Sequence, residues 1–234
     1  MATEGLLWDR EEHQAKKARP ALSLEAIARA AIEVADTDGI PALSMQRVAG
    51  DLGFTKMSLY RHVATKAELM AVMIDTAVGE PPRLDGVSGG WRPKLEEFTR
   101  LLAGTWERHP WLPMVTVGNR VMGPNEVGWT DAAVSALSET PLTGGERMAS
   151  VFLVFAHVRN TQSTAAAGTQ PWSADDSVAA TIGDLMARHG ARFPHLRKAM
   201  AETGDVLDDN GRRFGLERIF DGIDGLIARL DKNS

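Results

Sequence analysis

From Ser44 to Lys66 the chain reads SMQRVAGDLGFTKMSLYRHVATK, and its closing part, Phe54 to Lys66, holds Lys56, Arg61, Lys66 and the titratable His62 with no Asp or Glu. These residue types at this density suit a nucleic-acid duplex. Lys56 and Arg61 can reach base edges or phosphates, Met57 can touch a thymine methyl, and Ser58, Tyr60 and His62 can donate to phosphate oxygens. Gln46 is suited to bidentate contact with adenine. Thr55 opens the stretch that carries them. Lys66 adds charge at the first turn of a helix, where backbone amides already favour a phosphate. The alternative is a solvated basic face on a small helix, and the clustering of cations without acids weighs against it.

Such side chains need short helices to hold them. Ser23 caps a first helix with Ile27, Ala31, Val34 and Ala35 at helical spacing, ending near Asp38 and Gly39. Ser44 caps a second, in which Met45, Val48, Ala49 and Leu52 form one buried face that Gly53 terminates. Thr55 caps a third with Leu59 and Val63 inside, and Thr65 with Glu68 makes a capping box for a fourth that runs to about Val78. Two short helices joined by a sharp turn and braced by a preceding helix form a helix-turn-helix, whose second helix fits the major groove of B-DNA.

The rest of the chain reads as helix. The spacing predicts helices near Trp91–Arg108, Pro110–Met122, Asn125–Ser138, Thr143–Ala167, Ser173–His189 and Gly211–Asp231. The fold class is therefore all-α, an N-terminal three-helix helix-turn-helix domain followed by a larger helical domain. Pro81, Pro82, Gly86, Gly89 and Gly90 mark the expected boundary, giving an arm over 1–20, a DNA-binding domain over 21–80 and a second domain over 81–234. On the arm, Lys16, Lys17 and Arg19 are either further phosphate contacts or part of a solvated tail.

Bulk composition limits the alternatives. The 234 residues carry a net charge of −5, yet 13–66 has eight Lys or Arg against five acids, and the remainder from Ala67 has seventeen against twenty-two. A basic tip on an acidic body is expected of a DNA reader whose other surfaces do not touch DNA. The chain has no cysteine, so it has neither a disulfide framework nor a thiolate nucleophile, and a cytoplasmic location is expected. The longest nearly unbroken apolar run, Met148 to Val158, is about half of what a bilayer-spanning helix needs. No membrane is expected among its partners.

The run LSMQRVAGDLGFTKMSLYRHVATKAELM resembles the amino-terminal DNA-binding domain of the TetR family of transcriptional regulators. WERHPWL, GPNEVGW and FGLERIFDGIDGLI are similar to segments of actinobacterial members with a Tet-repressor-like carboxy-terminal domain. The resemblance implies that Gln46, Lys56, Met57, Ser58, Tyr60, His62 and Lys66 stand at DNA-contacting positions, with Gln46 and Lys56 as the leading base readers. Gln46 replaces an arginine, and Met57 a proline, of the tetracycline-sensing members, so the operator should differ from theirs.

The carboxy-terminal part is expected to pair and to sense. Leu216, Phe220, Ile223, Ile227 and Leu230 are spaced 4, 3, 4, 3, which fits either a coiled-coil-like seam or a core-facing stripe, and Gly222 and Gly225 would admit a partner backbone. The resemblance implies a four-helix interface between two subunits, built from the last helix and the long one over Thr143–Ala167. Trp106, Trp111, Trp129, Phe152 and Phe155, with Asn119 and Arg159 as polar groups, are candidates for an apolar ligand pocket, although most of the aromatics taken singly read more safely as core.

The expectation is a homodimeric repressor that binds a palindromic double-stranded operator and is released by an apolar or aromatic small-molecule inducer. No cofactor or metal is expected. A non-specific architectural DNA binder is the alternative, for which the acidic body is a poor fit. An all-helical enzyme is a weaker one, because no HExxH, GxSxG, Walker or GxGxxG pattern occurs.

Overall fold

The computed structural model describes residues 22–166, 177–202, 209 and 211–232. All regular structure among them is helical, in two compact units that divide between Ala136 and Leu137. The first holds α1 (Leu24–Asp38), α2 (Met45–Asp51), α3 (Lys56–Leu59), α4 (Lys66–Val78), α5 (Trp91–Arg108), α6 (Leu112–Val115) and α7 (Pro124–Ala136). The second holds α8 (Gly144–Ala166), α9 (Ser177–His189), α10 (Pro194–Ala201) and α11 (Arg212–Asp231).

The local start signals act as the sequence suggests. Ser23 accepts from the Ala26 amide and Ser44 from the Arg47 amide, each at 3.1 Å. A serine, threonine or aspartate cap is worth about 0.5–2 kcal/mol. Ile27, Ala31, Val34 and Ala35 of α1 are buried, as are Val48 and Ala49 of α2. α1 packs against both α2 and α4.

α4 is the axis of the first unit. Leu69, Ala71, Val72, Met73, Ile74 and Ala77 are buried on all its sides, as expected of a helix surrounded by others. One of its two buried carboxylates, Asp75, reaches across to α7, where Oδ1 accepts from the Asn125 amide at 2.9 Å and the Glu126 amide at 3.3 Å. Trp129 returns the contact, donating its indole N–H to the Gly79 carbonyl at 3.1 Å, just past the end of α4. Each helix thus caps an end of the other. A buried carboxylate must find donors, and α7 offers the unpaired amides of its first turn.

Two expectations change. The helix expected over Pro110–Met122 is only Leu112–Val115, because Gly118 adopts a left-handed φ of 87° soon after it. Pro194, which lies outside the helices expected from the spacing, opens α10. The long helix of the second unit spans Gly144–Ala166, and its start is closed by the Thr143 amide donating to the Glu146 carboxylate at 2.8 Å, which holds that carboxyl below the usual glutamate range.

The α4–α7 junction leaves no room at Gly123, where an added Cβ would overlap the Asp75 carboxylate. We expect Gly123→Ala to destabilise the chain by about 1–3 kcal/mol, the usual cost of overpacking, read as a lower urea midpoint. An unchanged midpoint would show that the junction yields.

Candidate nucleic-acid interface

α3 is a single turn, so its position is set by what surrounds it. Upstream, α2 ends in a paired closure in which the Phe54 amide donates to the Ala49 carbonyl at 2.8 Å and the Gly53 amide to Gly50 at 3.0 Å. That geometry requires a left-handed residue, and Gly53 supplies it at φ 72°. Thr55 then accepts from the Ser58 amide at 3.2 Å, and its hydroxyl also meets the Ser58 hydroxyl at 2.9 Å. Leu59 and Val63 are fully buried beneath. Downstream, Thr65 accepts from the Glu68 amide at 3.1 Å, while the Glu68 carboxylate takes the Ala64 amide at 2.6 Å. The capping box expected at Thr65 is therefore closed one residue before the cap.

This frame leaves the candidate contacts outside. Gln46, Thr55, Lys56, Met57, Tyr60, Arg61 and Lys66 are exposed, and Ser58 and His62 are half-buried. Met57 is the extreme case at 70 % exposure, which for a thioether on a one-turn helix is an apolar surface awaiting a partner. The Lys56 ammonium lies 5.5 Å from the centre of the Tyr60 ring, close enough for a cation–π contact that orients it. Arg47, although basic and next to Gln46, is already engaged. Its guanidinium meets Asp51 at 2.8 Å and Asp38 at 3.0 Å, and the hydrogen bond to Asp51, foremost, holds its pKa above the usual arginine range. Lys16, Lys17 and Arg19 lie outside the described residues.

The matches to known proteins follow this geometry. Residues 20–73 match the model for bacterial regulatory proteins of the tetR family, and 82–227 match the tetracyclin repressor-like C-terminal domain. The chain belongs to the TetR family of transcriptional regulators. One relative, the HTH-type transcriptional repressor DrrR1 of Streptomyces coeruleorubidus, is 30% identical over 238 residues, covering 96% of this chain and 85% of the relative. Two solved structures share the TetR fold. The Streptomyces coelicolor protein ActR in complex with actinorhodin has a TM-score of 0.73 at 23% identity, over 88% of this chain and 96% of that one. BioQ with its double-stranded DNA operator has a TM-score of 0.53 at 19% identity, over 78% and 97%.

The pocket candidates fall in different units. Trp106, Trp111 and Trp129 are buried in the first, where Trp111 and Trp129 commit their indole N–H groups to Asp36 and Gly79, and Phe98 meets Trp129 edge-on at 5.7 Å. Asn119 is exposed beyond α6. In the second unit Phe152 is 54 % exposed, and Phe155 and Arg159 are half-buried. Nearby on α8, His157 is bound to the Arg212 carbonyl at 3.0 Å and so ties α8 to α11.

The pairing candidates divide as well. Phe220 and Ile223 are buried within their own unit, while Leu216, Ile227 and Leu230 are half-buried. The stripe therefore serves the chain's own packing at its centre. Beside it, an open groove of about 470 Å³ runs between α8 and α11, lined by Ala149, Ser150, Leu153, Ile219, Gly222 and Leu226 among others. A sequence signal for it existed in Ile219 and Leu226, which repeat one position away from the stripe.

Lys66, exposed at the first turn of α4, tests the interface without touching the core. Lys66→Ala should weaken binding across all duplex sequences and lower the slope of log affinity against log salt by about one phosphate contact. An unaltered slope would remove Lys66 from the interface.

Proposed function

We propose that this TetR-family regulator is a repressor that binds a palindromic operator as a homodimer and leaves it when an apolar or aromatic small molecule binds. The observation that carries the reading is the exposed, acid-free face of Lys56, Met57, Tyr60, Arg61 and Lys66, held by the Thr55 cap of one-turn α3 and the Thr65 cap of α4. Gln46 and Lys56 are its base readers, and Thr55, Ser58 and His62 complete the contacts to the backbone. The division of labour follows the sequence, with DNA binding over 21–80 and sensing and pairing over 81–234. Similarity to a named repressor along nearly the whole chain supports the sign of regulation. ActR, crystallised with actinorhodin, supports a small-molecule effector. The protein acts in the cytoplasm and carries out no catalytic turnover.

Release by an effector is a population shift. An inducer must bind better to the arrangement that does not fit the operator, and only its differential affinity counts. Pairing uses the open α8–α11 face, where Gly222 has no neighbour near its missing side chain and exposed Leu153 and Phe152 add apolar area. Leu216, Ile227 and Leu230 extend this seam along α11, and Phe220 and Ile223 support it from within.

Selection of duplexes from random DNA should return a two-fold symmetric site, and binding equal on that site and on random duplex would favour the architectural alternative. Leu226→Asp, which puts a charge in the groove and spares the buried Phe220, should give monomers in sedimentation that bind the selected site at least tenfold more weakly. A persistent dimer would contradict the seam.

A further inference from the structure

The WERHPWL segment forms a corner whose side chains the DNA interface does not use. α5 stops at Arg108 and His109 leaves the helical region at φ −129° and ψ 76°, because a following proline disfavours helix for the residue before it. Trp111 then precedes α6. This corner aims two rings, one residue apart in sequence, at a single carboxylate. Trp111 Nε1 donates to Asp36 Oδ1 at 2.6 Å, and His109 Nδ1 lies 3.0 Å from each Asp36 oxygen. The two rings sit 5.8 Å apart.

Asp36 stands in the last turn of α1, where helix carbonyls disfavour negative charge and that turn holds no basic residue. Its partners come from 73 and 75 residues along the chain. Two residues later Asp38 meets Arg47 of α2 at 3.0 Å. One helix end is thus joined in two directions, by Asp38 to the helix-turn-helix and by Asp36 to the α5–α6 corner.

We propose that Asp36 is a positioning residue for DNA binding: its clamp on Trp111 and His109 fixes the end of α1, and with it the helix-turn-helix, against α5–α7. The proposal rests on the DNA-binding reading above. Loosening the clamp leaves the helices folded and broadens the orientation of the reading head, which weakens operator binding. Asp36 suits this test because its side chain is 31 % exposed, whereas Asp75 is wholly buried at the other junction.

The chain has no cysteine, so cysteines placed at exposed Ala64 and Asp131 accept spin labels without background. Labelled chains diluted with unlabelled wild type give the distance between the helix-turn-helix and α7 by dipolar spectroscopy. Asp36→Ala and Trp111→Phe should broaden that distance and weaken binding to the selected duplex about tenfold, the scale of one hydrogen bond to a charged group, with the helical signal retained. Asp36→Asn keeps an oxygen for the Trp111 indole and should recover most of both. Unchanged distances in Asp36→Ala and Trp111→Phe would overturn the clamp, as would an Asp36→Asn variant no better than Asp36→Ala. If Asp36→Ala loses its helical signal, Trp111→Phe, which removes one donor and keeps an aromatic ring, decides alone. A wild-type chain that selects no duplex would defeat the DNA-binding reading instead, and the labelled distances would still judge the clamp.

Discussion

A helix of one turn has no stability of its own. Fixing its first turn costs conformational entropy that a single hydrogen bond does not return, so isolated short helices are unstable in water. α3 exists because Gly53 turns the chain, Thr55 caps it, and Leu59 and Val63 are buried under it. Its exposed side chains inherit that order. In the proposed interface, Lys56 held near Tyr60, and Lys66 on a separately capped helix, would meet a duplex with less entropy left to lose than a flexible basic loop.

The same constraint passes along α4. Lys66 stands at its first turn and Asp75 near its last, about 13 Å apart at the rise of an α-helix. Because the Asp75 carboxylate is buried, it is satisfied only where the α7 amides present themselves, so the far end of α4 is fixed to the start of α7. α1 is held in parallel fashion at Asp36. The reading head is thereby attached to the middle helices at two carboxylates, and a change in those helices has two direct routes to the DNA-facing surface. For a TetR-family regulator this is a compact way to make one surface answer to another.

What the sequence made legible was local. Ser23, Ser44, Thr55 and Thr65 are caps whose partners lie three residues away, and the apolar stripes of α1, α2 and α4 follow from helical spacing alone. The exposed basic face of α3 was readable for the same reason. Asp36 and Asp75 were not, since their partners lie 50 to 75 residues away and an aspartate in a helical stretch reads as solvated. The stripe on α11 shows a different limit. A 4, 3, 4, 3 repeat describes a face without saying whether the chain or a second copy covers it, and here Phe220 and Ile223 are covered by the chain. The tryptophans were legible as buried, but nothing in their spacing separates a pocket wall from the donors that Trp111 and Trp129 prove to be.

On the function proposed above, the stretch from Ser44 to Lys66 reads DNA in the major groove as one half of a symmetric pair. Methylation-interference mapping on a duplex selected by the protein tests it most directly. Two blocks of guanines whose methylation at N7, in the major groove, interferes with binding are expected, related by two-fold symmetry and about 34–36 Å apart, one helical turn. A single block, or interference spread evenly along the duplex, would contradict it.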